Sequence, residues 1–253
     1  MNEPRNGLML DACLKQLYLA TIRRSYQEEA DLARKESLSY EAYLEELVIH
    51  ECEERRHKRI ARYLRESRLP LEKTMAVFDR SRLPTKLQSM VNTLLEGSFL
   101  DRCENILAFG NPGSGKTHLL CAIAQELINK EKRISFAPCS LLVQELLVAK
   151  RELVLPRMLT RLAKYDALLI DDIGYVQQSR EEMEVLFTLL AHCYERTSVM
   201  LTSNLPFSQW EKIFKDPMTT AAAIDRLVHH SVILELNLDS YRLEKAKQKT
   251  VAN

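Results

Sequence analysis

The chain has 253 residues, of which 46% are hydrophobic, and a formal net charge of +1 at pH 7. This length accommodates one large domain, or one medium domain with a small appendage, and the apolar content is sufficient for a core. A net charge this close to zero gives the whole molecule no electrostatic attraction to nucleic acid or a membrane. Any DNA-binding surface must therefore be a local basic patch.

The absence of targeting signals in the sequence predicts a soluble, cytoplasmic protein. No apolar run approaches the roughly 20 residues of a membrane-spanning helix, and the polar N-terminus lacks the apolar region of a signal peptide. The six cysteines are scattered, with no C-x-x-C pair and no Cys/His cluster at metal-ligand spacing. Such a distribution is typical of reduced thiols, several of them packed in the core.

The first part of the chain is helical in pattern, and we assign residues 1–70 to a small helical N-terminal domain. Ser39 is a good N-cap for a second helix, which Pro70 ends. The second half of that helix, residues 55–68, is strongly basic. It is either a solvated, self-paired helix face or a contact with DNA or a partner.

The remainder divides into a connector, residues 71–104, and an α/β domain, residues 105–253. Short apolar runs predict five strands at 105–109, 133–137, 167–171, 198–203 and 231–236. Helical patterns separate them at 116–130, 140–150, 155–164, 181–195 and 207–214. Strands that alternate with helices in this way predict a parallel sheet with right-handed crossovers.

The segment between the first strand and the next helix is a complete G-x-x-x-x-G-K-[ST] phosphate-binding loop. Its glycines let backbone N–H groups close around an anion, and the helix start adds its positive dipole end. We expect Lys116 to reach the β- and γ-phosphates and the Thr117 hydroxyl to bind Mg²⁺. The guanine-specific N-K-x-D motif is missing, which favours ATP. The predicted nucleotide-binding residues are Gly110, Asn111, Pro112, Gly113, Ser114, Gly115, Lys116, Thr117 and His118.

Two adjacent aspartates end the third predicted strand, at the carboxyl edge where parallel sheets bind ligands. Asp171 is the candidate Mg²⁺ ligand, and Asp172 is the candidate group that polarises the attacking water. The alternative is that both aspartates merely end a strand before the turn at Gly174. Their position after a phosphate loop favours the catalytic interpretation.

Three later residues are weaker candidates on pattern alone. Asn204 ends an apolar strand and is able to hold the attacking water or the γ-phosphate, although asparagine there is more often a turn residue. Arg226 and Arg242 follow, and arginines are the usual partners of a γ-phosphate. From its position in the sequence alone, each arginine is more simply explained as part of a surface salt bridge.

Together these motifs resemble the IstB-like helper ATPases of bacterial insertion sequences, a branch of the AAA+ group close to the helicase loader DnaC and the initiator DnaA. The similarity extends nearly end to end, and its most specific strings are residues 202–207 and 225–231. The resemblance implies an AAA+ fold, with Asn204 as the sensor-1 residue and Arg242 as the sensor-2 arginine. It implies that Arg226 is the arginine finger, which would act on ATP held by the neighbouring subunit.

The resemblance also implies partners: duplex DNA, bound with little sequence preference, a partner transposase, and further copies of the chain with ATP sites at subunit interfaces. It implies as well that the helical N-terminal domain assists assembly. A DnaC-type replicative helicase loader is the alternative function, since it shares the same core. A small-molecule P-loop kinase is disfavoured because it needs neither the Asn204 sensor nor two late arginines. The predicted DNA-contacting residues are Lys150, Arg151, Arg157 and Arg161, with residues 55–68 as second choice and a solvated helix face as the simpler alternative.

Overall fold

The computed structural model describes residues 3–174, 179–210, 217–238 and 240–241. The chain divides into two compact units, Met1–Arg62 and Tyr63–Asn253. The sequence pattern instead predicts a division at residue 70, just after the helix that ends at Ser67. Among the described residues, no helix is long and apolar enough to cross a membrane.

The first unit is built from helices α1 (Glu3–Gln16), α2 (Ala20–Glu36) and most of α3 (Tyr40–Ser67). Its small core contains Leu14, Ile22 and Leu47. As predicted, Ser39 caps α3, because its Oγ accepts a hydrogen bond of 3.2 Å from the backbone N–H of Ala42.

A buried carboxylate connects two helices of this unit. Glu51 on α3 accepts hydrogen bonds from the backbone N–H groups of Thr21 (2.8 Å) and Ile22 (3.1 Å), which lie in the first turn of α2. Arg55 donates to Glu51 at 2.7 Å and to the carbonyl of Tyr18 at 2.6 Å. Burial opposes the charge on Glu51, but the hydrogen bonds from Arg55 and the two amides outweigh it and lower the pKa of Glu51. Arg55 therefore has a structural role within the basic segment.

The second unit contains a five-stranded sheet in which every described strand pairing is parallel, as the sequence predicts. The strands are β1 (Asn105–Phe109), β2 (Ile134–Pro138), β3 (Ala167–Asp171), β4 (Ser198–Ser203) and β5 (Ser231–Glu235). Their order across the sheet is β2-β3-β4-β1-β5. All five lie within one residue of their predicted bounds.

The helices of this unit are α4 (Thr85–Glu96), α5 (Ser98–Asp101), α6 (Lys116–Asn129), α7 (Cys139–Arg151), α8 (Leu155–Leu162), α9 (Arg180–Cys193) and α10 (Pro217–Val228). Alternate residues of β3 and β4, Leu168, Ile170, Val199 and Leu201, share a core cluster with α7, α9 and α10. Helix α6 packs against β1, β3 and β4, and α4 packs on α6. Helices thus cover both faces of the sheet.

Two helix predictions differ from the structure. The helix predicted at 207–214 begins as a single 3₁₀ turn, Phe207–Gln209, and residues 211–216 lie outside the described ranges. Helix α10 was not predicted, although Pro217 at its start and the alanines that follow favour a helix. The predicted connector contains α4, which ends at Gly97 in the left-handed conformation (φ +88°), a common helix stop.

Candidate active site

The phosphate loop joins β1 to the start of α6 and is the centre of the candidate site. Lys116, the first residue of α6, is buried, and its Nζ donates to the backbone carbonyls of Gly110 (2.7 Å) and Asn111 (2.9 Å). Gly113 has a φ of +83°, and a Cβ there would lie 2.2 Å from the Oγ of Ser240. Only glycine can adopt this positive φ and also leave room for the side chain of Ser240. The Oγ of Ser114 is buried and has no hydrogen-bond partner among the described residues.

A cavity of about 200 Å³ lies beside the loop. Besides loop residues, its lining includes Lys73, Phe78, Arg82 and Tyr241. Phe78 packs edge-on against His118, with ring centroids 5.3 Å apart. The guanidinium of Arg82 lies 5.3 Å from the centroid of the Tyr241 ring. An apolar and aromatic pocket of this kind beside a phosphate loop suits the base and sugar of a nucleotide.

Sequence reasoning missed most of this cavity because it treated residues 71–104 as a connector. The Phe78–Asp79 pair was visible in the sequence, but spacing alone does not relate it to a loop more than 30 residues later. His118 was predicted as nucleotide-binding and does line the cavity, where its Nε2 lies 3.0 Å from the carbonyl oxygen of Thr74.

The two predicted Mg²⁺ ligands are in direct contact. The Thr117 hydroxyl donates a hydrogen bond of 2.7 Å to Oδ1 of Asp171. The Thr202 hydroxyl on β4 donates to the same oxygen at 2.7 Å and accepts from the backbone N–H of Asp172, also at 2.7 Å. Sequence reasoning missed Thr202 because a threonine inside a strand is ordinary. This network fixes the carboxyl end of β3 against the loop.

Asp172 follows β3 with a left-handed backbone (φ +65°), which aspartate tolerates better than most residues. Burial raises the pKa of Asp172, the negative charge of Asp171 raises it further, and the ammonium of Lys116 opposes both. A carboxylate with a raised pKa is a better proton acceptor, which suits the predicted role of Asp172 in activating water.

Asn204 follows β4, which lies between the strands that carry the loop and the aspartates. Its Oδ1 is buried without a hydrogen-bond partner among the described residues. Gly174 makes room for this amide, because a Cβ at position 174 would lie 2.4 Å from Oδ1 of Asn204. A buried polar atom that lacks a partner is costly, and a ligand would satisfy it.

Arg226 lies away from its own phosphate loop. It belongs to the last turn of α10, which leads into the amino end of β5, whereas the loop follows the carboxyl end of the adjacent parallel strand β1. A five-residue strand separates these edges by about 16 Å. The guanidinium stacks 5.0 Å from the Phe187 ring centroid and donates to the carbonyl of Ala222 in its own helix.

Arg242 lies outside the described residues. The residue before it, Tyr241, donates its backbone N–H to the carbonyl of Gly113 at 3.1 Å. The chain therefore reaches the phosphate loop immediately before the predicted sensor-2 arginine.

The predicted DNA-contacting residues do not form one uniform basic strip. Lys150 pairs with Glu184 on α9 at 3.0 Å, and Arg151 is exposed. Arg157 and Arg161 line a groove of about 1040 Å³ together with residues of α7. Acidic and apolar side chains share this groove, among them Glu145, Glu152, Leu141 and Val148. In the second-choice segment, Arg68 pairs with Glu145 at 3.0 Å.

A parallel sheet of this order, with a phosphate loop after β1, adjacent aspartates at the end of β3 and an asparagine after β4, defines a P-loop ATPase of the AAA+ class. ATP is the nucleotide. Within this class, the chain belongs to the IstB-like ATP binding protein family, whose sequence pattern matches residues 12–250. The resemblance noted from the sequence is thereby confirmed.

Relatives with similar sequences are named as insertion sequence ATP-binding proteins. The protein y4iQ/y4nD/y4sD of Sinorhizobium fredii is 41% identical over 249 residues, which cover 98% of this chain and 82% of the relative. The IS21 ATP-binding protein of Pseudomonas aeruginosa is 34% identical over 242 residues, which cover 96% of this chain and 91% of the relative.

Solved structures with the same fold include DnaA, DnaI and the DnaC helicase loader. AMPPCP-bound DnaA from Aquifex aeolicus superposes with a TM-score of 0.57 at 18% identity, over 74% of this chain and 57% of DnaA. DnaI gives a TM-score of 0.54 at 20% identity, over 68% of this chain and 94% of DnaI. The DnaC helicase loader gives 0.51 at 17% identity, over 65% of this chain and 96% of DnaC. At these identities the similarity concerns the fold.

Proposed function

We propose that this ATPase is a DNA-binding helper of transposition. It oligomerises on target duplex DNA in an ATP-dependent manner and recruits or activates a partner transposase, with ATP hydrolysis acting as a switch. Family membership and the names of the relatives support the association with insertion sequences. The observation that carries the assembly part of the proposal is the position of Arg226, across the sheet from its own phosphate loop.

The residues at the site fit ATP with Mg²⁺. Thr117 Oγ1 and Asp171 Oδ1 are hard oxygen donors 2.7 Å apart, the ligand type that Mg²⁺ prefers. Ser114 Oγ and Asn204 Oδ1 are buried polar atoms without a hydrogen-bond partner in the described part of the chain. A phosphate oxygen would accept a hydrogen bond from Ser114 Oγ, and a water would donate one to Asn204 Oδ1. Thr117 and Asp171 would hold Mg²⁺, which would neutralise phosphate charge.

Each candidate site residue has a defined role in this proposal. Lys116 exchanges its two bonds to loop carbonyls for bonds to the β- and γ-phosphates. Asp172 accepts the proton of the attacking water, and its raised pKa favours that transfer. The amide of Asn204 orients this water or the γ-phosphate, and Arg242 contacts the phosphates of its own nucleotide.

Arg226 completes the active site of a neighbouring subunit. Arg226 is half-buried, which leaves part of the residue accessible to a second copy of the chain. Because the γ-phosphate is then contacted from both sides of the interface, ATP occupancy and assembly stabilise each other. Hydrolysis removes that shared group, which is what a switch requires.

DNA binding in this proposal relies on phosphate contacts and is therefore tolerant of sequence. Arg157 and Arg161 on α8 are the best supported of the predicted contacts, since both line the groove between α7 and α8. Lys150 contributes less, because its ammonium is already paired with Glu184.

The test is to measure assembly size with ATP, with ADP and without nucleotide, each with and without duplex DNA. We expect large assemblies only when ATP and DNA are both present, and none with the Lys116→Ala variant. A chain that stays monomeric under every condition would contradict the proposal. A stable complex with a replicative helicase, without oligomers on duplex DNA, would favour the helicase-loader alternative.

A further inference from the structure

Two turns at the sheet edge opposite the phosphate loop bring three metal-ligating side chains together. Glu195 lies in the turn that leads into β4, and His229 and His230 lie in the turn that leads into β5. β4 and β5 are the two neighbours of β1 in the sheet, so these turns meet across the amino end of β1. One ligand atom of each residue lies within 4.8 Å of the other two, and all three residues are exposed.

The backbone that carries these side chains is held in place. The carbonyl of His230 accepts the backbone N–H of Asn105 at 2.7 Å. The Asn105 side chain is buried, donates to the carbonyl of Leu227 at 3.0 Å and accepts the N–H of Val199 at 2.8 Å. Asn105 therefore fixes α10 and β4, which flank the two turns, relative to each other. A metal site requires this kind of prior positioning.

A hydrogen bond also orients one histidine. The hydroxyl of Tyr194 lies 3.0 Å from Nδ1 of His229. When Nδ1 of His229 carries the ring proton and donates it to this hydroxyl, Nε2 is the unprotonated nitrogen and is the one that can bind a metal. Metal-bound histidines are held in this way by a partner on the other ring nitrogen.

We propose that Glu195, His229 and His230 bind a divalent transition-metal ion, for which Zn²⁺ is the best fit. Two imidazoles and one carboxylate are a typical zinc donor set with one open position, whereas Mg²⁺ and Ca²⁺ prefer oxygen ligands alone. In a tetrahedral zinc site the ligand atoms lie roughly 3.3 Å apart. Rotation of these exposed side chains closes the remaining distance. The bound ion would tie the turn after α9 to the turn after α10, the helix that carries Arg226.

The neighbouring thiol does not take part. Cys193 is buried and packs in the core cluster, whereas Glu195, His229 and His230 are exposed. Its thiol therefore faces away from the exposed ligand atoms. Sequence reasoning missed the site because the glutamate and the histidine pair are more than 30 residues apart and match no spacing motif.

The test uses the full chain without an affinity tag or nucleotide, titrated with Co²⁺ as a spectroscopic substitute for Zn²⁺. We expect one Co²⁺ per chain, with the visible absorption of a four- or five-coordinate nitrogen–oxygen site, and stoichiometric displacement by Zn²⁺. Zn²⁺ at 100 times its Kd should also raise the Tm by about 5–10 °C. A thiolate-to-cobalt charge-transfer band, or no saturation below millimolar metal, would overturn the proposal.

Variants assign the ligands. His230→Ala should abolish the Co²⁺ spectrum, Glu195→Gln should weaken binding at least tenfold, and Tyr194→Phe should weaken it about 10- to 100-fold by releasing His229. His57→Ala, which removes an exposed histidine on α3, should bind as the wild type does. Because Glu195 and His230 are exposed, these variants should keep the metal-free Tm. Wild-type affinity in His230→Ala would exclude the site.

Discussion

Thr117 and Asp171 are joined by a hydrogen bond of 2.7 Å, although 54 residues separate them in the chain. The bond connects the first turn of α6 to the carboxyl end of β3. A second threonine, Thr202, holds the same carboxylate oxygen from β4. A helix and two strands therefore meet at one oxygen atom, so the position of the proposed Mg²⁺ ligand is set before any ligand binds.

Asp172→Asn should keep ATP binding and lower kcat by about 100-fold or more, because an amide cannot accept the proton of water. Asp172 must be ionised to act, and its pKa is raised above the ordinary value. Wild-type turnover should therefore fall as the pH decreases through that raised pKa, and the residual turnover of the variant should lack this dependence. DNA-stimulated ATPase assays across pH measure both effects. Unchanged kcat would show that Asp172 is not the activating group.

Gly174→Ala should reduce turnover without loss of ATP binding. The new Cβ would lie 2.4 Å from Oδ1 of Asn204, so the amide has to move. We expect kcat to fall about tenfold or more, the cost of a displaced polar group at a reacting centre. Nucleotide titration and steady-state kinetics separate the two quantities. Asn204→Ala is the comparison, and full activity in both variants would exclude a role for Asn204.

Arg226→Ala should leave ATP binding by the isolated chain intact and lower turnover by about 10³-fold, the range measured for arginine fingers. Mixing it with Lys116→Ala tests whether the site is shared. An interface between the intact loop of the first variant and the intact arginine of the second should recover part of the activity. If the two variants co-assemble and no ratio recovers turnover, Arg226 acts within its own chain or is structural.

Arg157→Ala combined with Arg161→Ala should weaken binding to duplex DNA of any sequence. The logarithm of the binding constant falls with the logarithm of the salt concentration, and each lost phosphate contact makes this negative slope shallower by about 0.9. Fluorescence anisotropy over a range of salt concentrations measures that slope. The matched control removes Arg24 and Arg34, two exposed arginines of α2. An unchanged slope in the α8 variant, or an equal change in the control, would exclude this surface.

Glu51→Ala should destabilise the N-terminal unit by about 2–3 kcal/mol, because two N–H groups at the start of α2 and the Arg55 side chain lose a charged acceptor. Glu53→Ala, an exposed neighbour on α3, is the control. The pKa of Glu51 is lowered by folding. Its contribution is therefore present above its unfolded pKa and lost as the pH falls through the folded value. Urea denaturation at several pH values tests both statements.

The sequence predicted the sheet well and the site in part, for a physical reason. Buried parallel strands are short apolar runs, which a sequence displays directly, and the phosphate loop is a local motif. Thr202, Phe78 and Gly174 were not assigned, because their roles depend on which segments meet in the folded chain. Helix α10 was not predicted because no apolar pattern at helical spacing was recognised there.

The packing of residues that follow β5 against the phosphate loop has a consequence for synthesis. β1 is made first, yet both of its neighbours in the sheet, β4 and β5, are made last. Gly113 contacts Ser240, and Gly110 lies against the carbonyl of Leu236. A growing chain on the ribosome therefore carries the complete phosphate loop long before β4, β5 and the residues after β5, which pack around the loop, have been synthesised. Such non-local pairing slows folding, and chains cut short before β5 would carry the nucleotide motif without a finished pocket.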